Sequence, residues 1–136
     1  MGQFGDKDLL VVRATLGAAD VDRCIWICPA DRSYRLSAIS EVHSVVGGAS
    51  AAVRPRKVTG TSAPGASAGA TVIEQAAAID LTSGATANTV VRPAPTGTEA
   101  QRTFNPGDRL CLDYSGTLTN LVGHIEFALE PVGRYL

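Results

Sequence analysis

The sequence predicts an all-β protein: a single-domain β-sandwich or jelly-roll-like barrel of about seven or eight strands with one short helix. Three observations carry this reading. Apolar residues recur with period two through most of the chain. Gly-, Pro- and Ser-rich turn signals punctuate the alternation, and two of them are long enough to be loops. The 136 residues suit one domain with one modest core. The spacing places that domain at residues 9–130, with a flexible N-terminal arm at 1–8 and a C-terminal tail at 131–136.

Each element follows from its pattern. In "DLLVVRATLG", Leu10, Val12, Ala14 and Leu16 share a face, with Arg13 and Thr15 on the other. "DRCIWICP" is apolar on both faces, with Cys24, Trp26 and Cys28 on one and Ile25 and Ile27 on the other. A strand of that kind is covered twice, by its own domain or by a neighbouring subunit. In "SYRLSAISEVHSVVGG", Tyr34, Leu36, Ala38, Val42 and Val46 alternate inward, and Arg35, Ser37, Glu41 and His43 outward, before a turn at Gly47–Gly48. "ASAAVRPRKVTG" is a strand with Ala51 and Val53 inward and Arg54 and Arg56 outward. Its Pro55 indicates an edge or a bulge.

"TGTSAPGASAGAT" is a surface loop by composition. "VIEQAAAIDL" is the helical candidate: Ile73 and Ala77 share a face at i, i+4, and the residues between them favour a helix. "ANTVVR" is a strand and "PAPTGTEAQRT" a second loop. In "NPGDR", Pro106 presets one φ of a turn and Gly107 accepts the positive φ of the next position. "RLCLDYS" then directs Leu110, Leu112 and Tyr114 inward and Arg109, Cys111 and Asp113 outward. "LVGHIEFALE" directs Leu121, Ile125, Phe127 and Leu129 inward and His124, Glu126 and Glu130 outward.

Composition narrows the function classes. A net charge of −1 with 18% charged residues leaves no basic surplus for a phosphate backbone, so no nucleic-acid partner is expected. No apolar run approaches the ~20 residues that span a bilayer, so no membrane partner is expected. "MGQFGDKD" has neither a signal-peptide core nor the Ser or Thr of a myristoylation site, and the chain is expected to stay in the cell that makes it. The three cysteines, an odd number, argue against a disulfide framework. Cys24 and Cys28 lack the further ligands a zinc site needs. They are expected to be small buried hydrophobes, with no metal and no cofactor.

The candidate chemistry is sparse. His43 and His124 fall on polar strand faces, where a solvated or inter-strand role is expected. No G-x-S-x-G, Walker A, G-x-G-x-x-G or H-E-x-x-H pattern is present. "LCLDYSG" resembles the Asp–Tyr element of trimeric dUTPases at Asp113–Tyr114. The Pro-Arg-Ser-Gly and Gly-Arg-Ser-Ser stretches that would hold a triphosphate are missing, so Asp113 is read as a polar residue near a strand end. Arg54, Arg56 and Lys57 cluster on one strand, as a solvated edge or as a patch for an acidic partner.

Four stretches taken in order, "SEVHSVVGGASAAV", "KVTGTSAPG", "AAAIDLTSGATANTVV" and "NPGDRLCLDYSGTLTNLVG", resemble the head decoration, or capsid cement, proteins of tailed bacteriophages. The resemblance covers about residues 9–130, is moderately specific, and departs at "RPAPTGTEAQRTF". It implies an all-β virion protein with no enzymatic activity. Such a protein is made in the bacterial host cytoplasm and sits on the outside of the head, commonly as a homotrimer at three-fold positions. Its partners would be the major capsid protein and itself. On this reading Ile25, Trp26 and Ile27 are expected at the subunit interface. Phe4, Arg54, Arg56, Lys57, Arg134 and Tyr135 are expected to contact the capsid. A second reading is a host-facing virion module, such as a head fibre or glycan-binding domain. A dUTPase-like enzyme is the remote third.

Overall fold

A computed structural model of the chain describes residues 9–75, 77–82 and 87–132. The arm residue Phe4 and the tail residues Arg134 and Tyr135 lie outside the described residues. The protein is all-β. Nine strands are described: β1 (Leu10–Gly17), β2 (Arg23–Ile27), β3 (Ser33–Val45), β4 (Ala52–Val58), β5 (Ala70–Val72), β6 (Ile79–Asp80), β7 (Thr103–Phe104), β8 (Arg109–Ser115) and β9 (Val122–Val132). They form two antiparallel sheets. The first has the order β1-β9-β3-β7. The second has the order β2-β8-β4-β5, with β6 also on β4.

Alternation decides which side chains enter the space between the sheets. β1 contributes Val12, Ala14 and Leu16, and β9 contributes Ile125, Phe127 and Leu129, as their sequence patterns predict. β8 contributes Leu110 and Leu112 from the other sheet. Phe104 is fully buried and stacks edge-on against Trp26, with centroids 5.5 Å apart. Burial of each such side chain is worth about 1.5–3 kcal/mol relative to exposure.

β3 departs from simple alternation. Its register against β9 shifts between Leu36 and Ala38 and again between His43 and Val45. Ser37 and Ser44 are the extra residues, and each donates its hydroxyl to a β9 carbonyl, Ala128 at 3.0 Å and Val122 at 3.4 Å. One inserted residue exchanges the two faces of everything beyond it. Leu36 points inward as expected, but after Ser37 the inward residues are Ile39, Glu41 and His43. The expected outward placement of Glu41 and His43, and the inward placement of Ala38 and Val42, are thereby overturned.

A bulge also resets β2. Cys24 pairs with Cys111 and Trp26 with Leu110, leaving Ile25 as the extra residue. Ile25 and Trp26 both pack on the core, while Cys24 and Ile27 are exposed. The expected face shared by Cys24, Trp26 and Cys28 is therefore broken at Cys24. Cys28 is buried, and its thiol donates to the carbonyls of Arg32 and Phe104.

Among the described residues of the expected helix over 72–81 no helix forms. In its place the described residues form the end of β5, a bridge from Glu74 to Pro95, and β6. Ile73, Ile79 and Leu81 are buried there, and Ile73 and Leu81 donate their N–H groups to Pro55 and Ala51. Pairing and burial outweigh the weak helical preference of the intervening alanines. "ANTVVR" also forms no strand; Val91 makes an isolated bridge to Glu41. β4 lies inside its sheet, not at an edge, and Pro55 is accommodated at the break between β5 and β6. At Gly107 φ is +91°, as the Pro-Gly turn demands, and Asp108 N–H closes the turn on Asn105.

Candidate functional site

Asp113 and Tyr114 are neighbours in sequence but lie on opposite faces of β8. Asp113 is on the outer face, where Arg56 Nε donates to its Oδ2 at 2.8 Å. Tyr114 packs against the core from the inner side. Its hydroxyl donates to Asp20 Oδ2 at 2.5 Å, and its N–H donates to Asp22 Oδ1 at 2.7 Å. Burial, followed by the acceptor Asp20, pushes the phenol well above its usual range. The carboxylate and phenol do not converge on a common point. Their partners fasten the β1–β2 turn and β4 to β8.

The basic residues of β4 are also engaged within the chain. Arg54 Nε lies 3.2 Å from Glu74 Oε1, an ion pair whose angles fall short of a hydrogen bond. Burial raises the Glu74 carboxyl above its usual value, and Arg54 opposes that shift. Arg56 bonds the Ala70 carbonyl as well as Asp113. Lys57 is directly opposite the core residue Leu110, so it leaves the strand on the other side from Arg54 and Arg56. Its ammonium group donates to the carbonyls of Ala100 and Thr103. The expected patch of Arg54, Arg56 and Lys57 is thus divided between two faces.

The two histidines differ. His43 Nδ1 is 2.8 Å from Glu41 Oε2, and both side chains are fully buried. Burial raises the Glu41 carboxyl, with the His43 hydrogen bond acting against it. The expectation of a solvated His43 is corrected by the Ser37 bulge. His124 lies on the outer face of β9 and contacts Glu126 Oε2 at 2.9 Å, where Arg13 Nε also donates at 3.1 Å. These hydrogen bonds, His124 first and Arg13 second, hold the Glu126 carboxyl below its usual value. Among the described residues no group of three or more His, Cys, Asp or Glu is placed to hold a metal ion.

The outer face of β1, β9 and β3 combines exposed valines with paired charges. Register places Val11 beside Ala128 and Ala38, Arg13 beside Glu126 and Ser40, and Thr15 beside His124 and Val42. Val45 and Val122 form an exposed pair at one end, 43% and 53% accessible. Val90, beside the residue that bridges to Glu41, lines the outer face with Val42 and His124 and extends the apolar surface. Two shallow depressions of about 180 and 280 Å³ share Val42 and His124. Sequence alternation identified the outward residues of β1 and β9. It missed the outward residues of β3, because the bulges carry no unambiguous signal.

Of the expected interface residues, Trp26 stacks edge-on against Tyr34, centroids 5.6 Å apart, as well as Phe104. Ile25 packs on the same core, and Ile27 alone of the three is exposed, at 62%. No helix among the described residues is long and apolar enough to cross a membrane. Comparison with protein-family models, curated proteins and solved structures gave no match to the chain.

Proposed function

We propose that the chain is a structural binding protein of a tailed-phage head. It docks on the outside of the shell across adjoining copies of the major capsid protein, as a homotrimer at three-fold positions. The sequence resemblance suggests the class. The observation that carries the reading is the broad outer face of β1-β9-β3, where valines are exposed and the central charges, Arg13 and Glu126, are paired. Proteins bury surfaces of this kind against one another. The action is binding alone: contacts made only with the assembled shell stabilise it by mass action. Repetition over many sites adds avidity.

The test is to mix purified protein with undecorated expanded capsids. Saturable binding is expected, and Val122→Asp should weaken it at least tenfold, since an unpaired buried carboxylate costs more than the about 1.4 kcal/mol that a factor of ten represents. The unfolding midpoint should stay near the parent's, because Val122 is exposed. Indifference to capsids combined with binding to cells or sugars would support a host-facing module instead. Turnover of dUTP abolished by Asp113→Asn would overturn both.

A further inference from the structure

Cys24 and Cys111 are separated by most of the chain but face each other as a register pair of β2 and β8. Directly opposed residues of antiparallel strands have Cα atoms about 4.5 or 5.5 Å apart, depending on the hydrogen-bonding pattern. Both values fall within the span of about 4.4–6.8 Å that a disulfide bridges. Both side chains leave the outer face of the sheet. Cys24 is exposed, whereas Cys111 is covered by the 59–69 loop, whose Ala66 packs with Val58 and Ala70 around it.

We propose that Cys24 and Cys111 are a thiol–disulfide exchange site, at which a small-molecule disulfide converts the two thiols into a cross-strand disulfide. Exposure fixes the order of events. The Cys24 thiolate attacks one sulfur of the incoming disulfide, forming a mixed disulfide and expelling one small thiolate. The Cys111 thiolate then attacks Cys24 Sγ, forming the protein disulfide and expelling the second small thiolate. The two protons lost by the cysteines end on the two released thiols. The protein loses two electrons and the small disulfide gains them. The product fastens edge strand β2 to β8 at its bulge.

The second step has a distinctive pH dependence. In the reduced protein burial, the largest cause, and then the adjacent Cys24 raise the Cys111 thiol; the Cys24 contribution is lost once Cys24 carries the small thiol, and burial remains. The charged groups around it are Arg56 on β4, Arg109 and Asp113 on its own strand, and Asp22 just before β2, whose carboxylate shares with Asp113 the space at Gly65; the 59–69 loop contributes none. The closing rate therefore rises with pH through the alkaline range, as the fraction of Cys111 present as thiolate grows.

The experiment uses the reduced full chain and excess glutathione disulfide, followed by intact mass and peptide mapping. A transient glutathione adduct at Cys24 is expected, then a product lighter than the reduced protein by two hydrogen atoms, with Cys24 joined to Cys111. Cys28 should remain free. Cys111→Ser should stop at the adduct, and Cys24→Ser should acquire none. A wild-type protein that also stops at the Cys24 adduct would overturn the proposal, as would a bridge joining other cysteines. The wild-type map decides the matter even if a variant folds poorly.

Discussion

Glu41 and His43 place two ionisable side chains where the alternation of β3 puts core residues. Their mutual contact at 2.8 Å offsets part of the cost of removing both from water. Glu41 Oε1 and His43 Nε2 have no protein partner among the described residues. Removing one member strands the other, so His43→Leu should cost about 3–5 kcal/mol in urea unfolding. The double variant Glu41→Leu/His43→Leu should recover most of that loss. Glu74 gives a pH signature. Its folded carboxyl is raised by burial, so its contribution is full below the usual glutamate value of 4.5 and is lost as pH rises through the folded value. The stability of the parent minus that of Glu74→Gln should therefore be most favourable at acid pH and fall on going to neutral. A difference that grows with pH would contradict this assignment.

At the level of elements, β1, β8 and β9 were legible because each keeps a two-residue period from end to end. β2 and β3 were only partly so, because a bulge inserts one residue without a mark that distinguishes it from any other Ser or Ile. The bulge at Ser37 can be tested by comparing loss of its hydroxyl with loss of its place in the chain. Ser37→Ala removes one hydrogen bond to Ala128 and should cost about 1 kcal/mol. Deleting Ser37 should turn Glu41 and His43 outward and Val42 inward, and abolish the cooperative unfolding transition seen by circular dichroism. The segment after β5 was misread for a different reason: alanine favours helix locally, but Ile73 and Leu81 gain more from the core and from pairing with β4. The candidate surface carries both difficulties, since one of its three strands is β3 and part of it is Val90.

For the whole molecule, the predicted all-β architecture is present, and its closure is non-local. Arg13 and Glu126, 113 residues apart, meet across the β1–β9 ladder. The turn after β1 also guards that strand's outer edge: Asp20 Oδ2 accepts the Gly17 N–H, and Arg23 donates to the Thr15 carbonyl. These groups cover the end of an edge that could otherwise template pairing with another chain.

Because Leu10 pairs with Leu129, β1 begins beside the close of β9. The backbone could be re-threaded there without redrawing either sheet. A short Gly/Ser linker joining the ends, with new termini cut at the exposed and unobstructed Gly97, would turn the longest-range strand pairing into a hairpin-like contact. Such a circular permutant should give the parent's far-ultraviolet spectrum and refold faster in stopped-flow experiments, since less chain must be searched before β1 finds its partner.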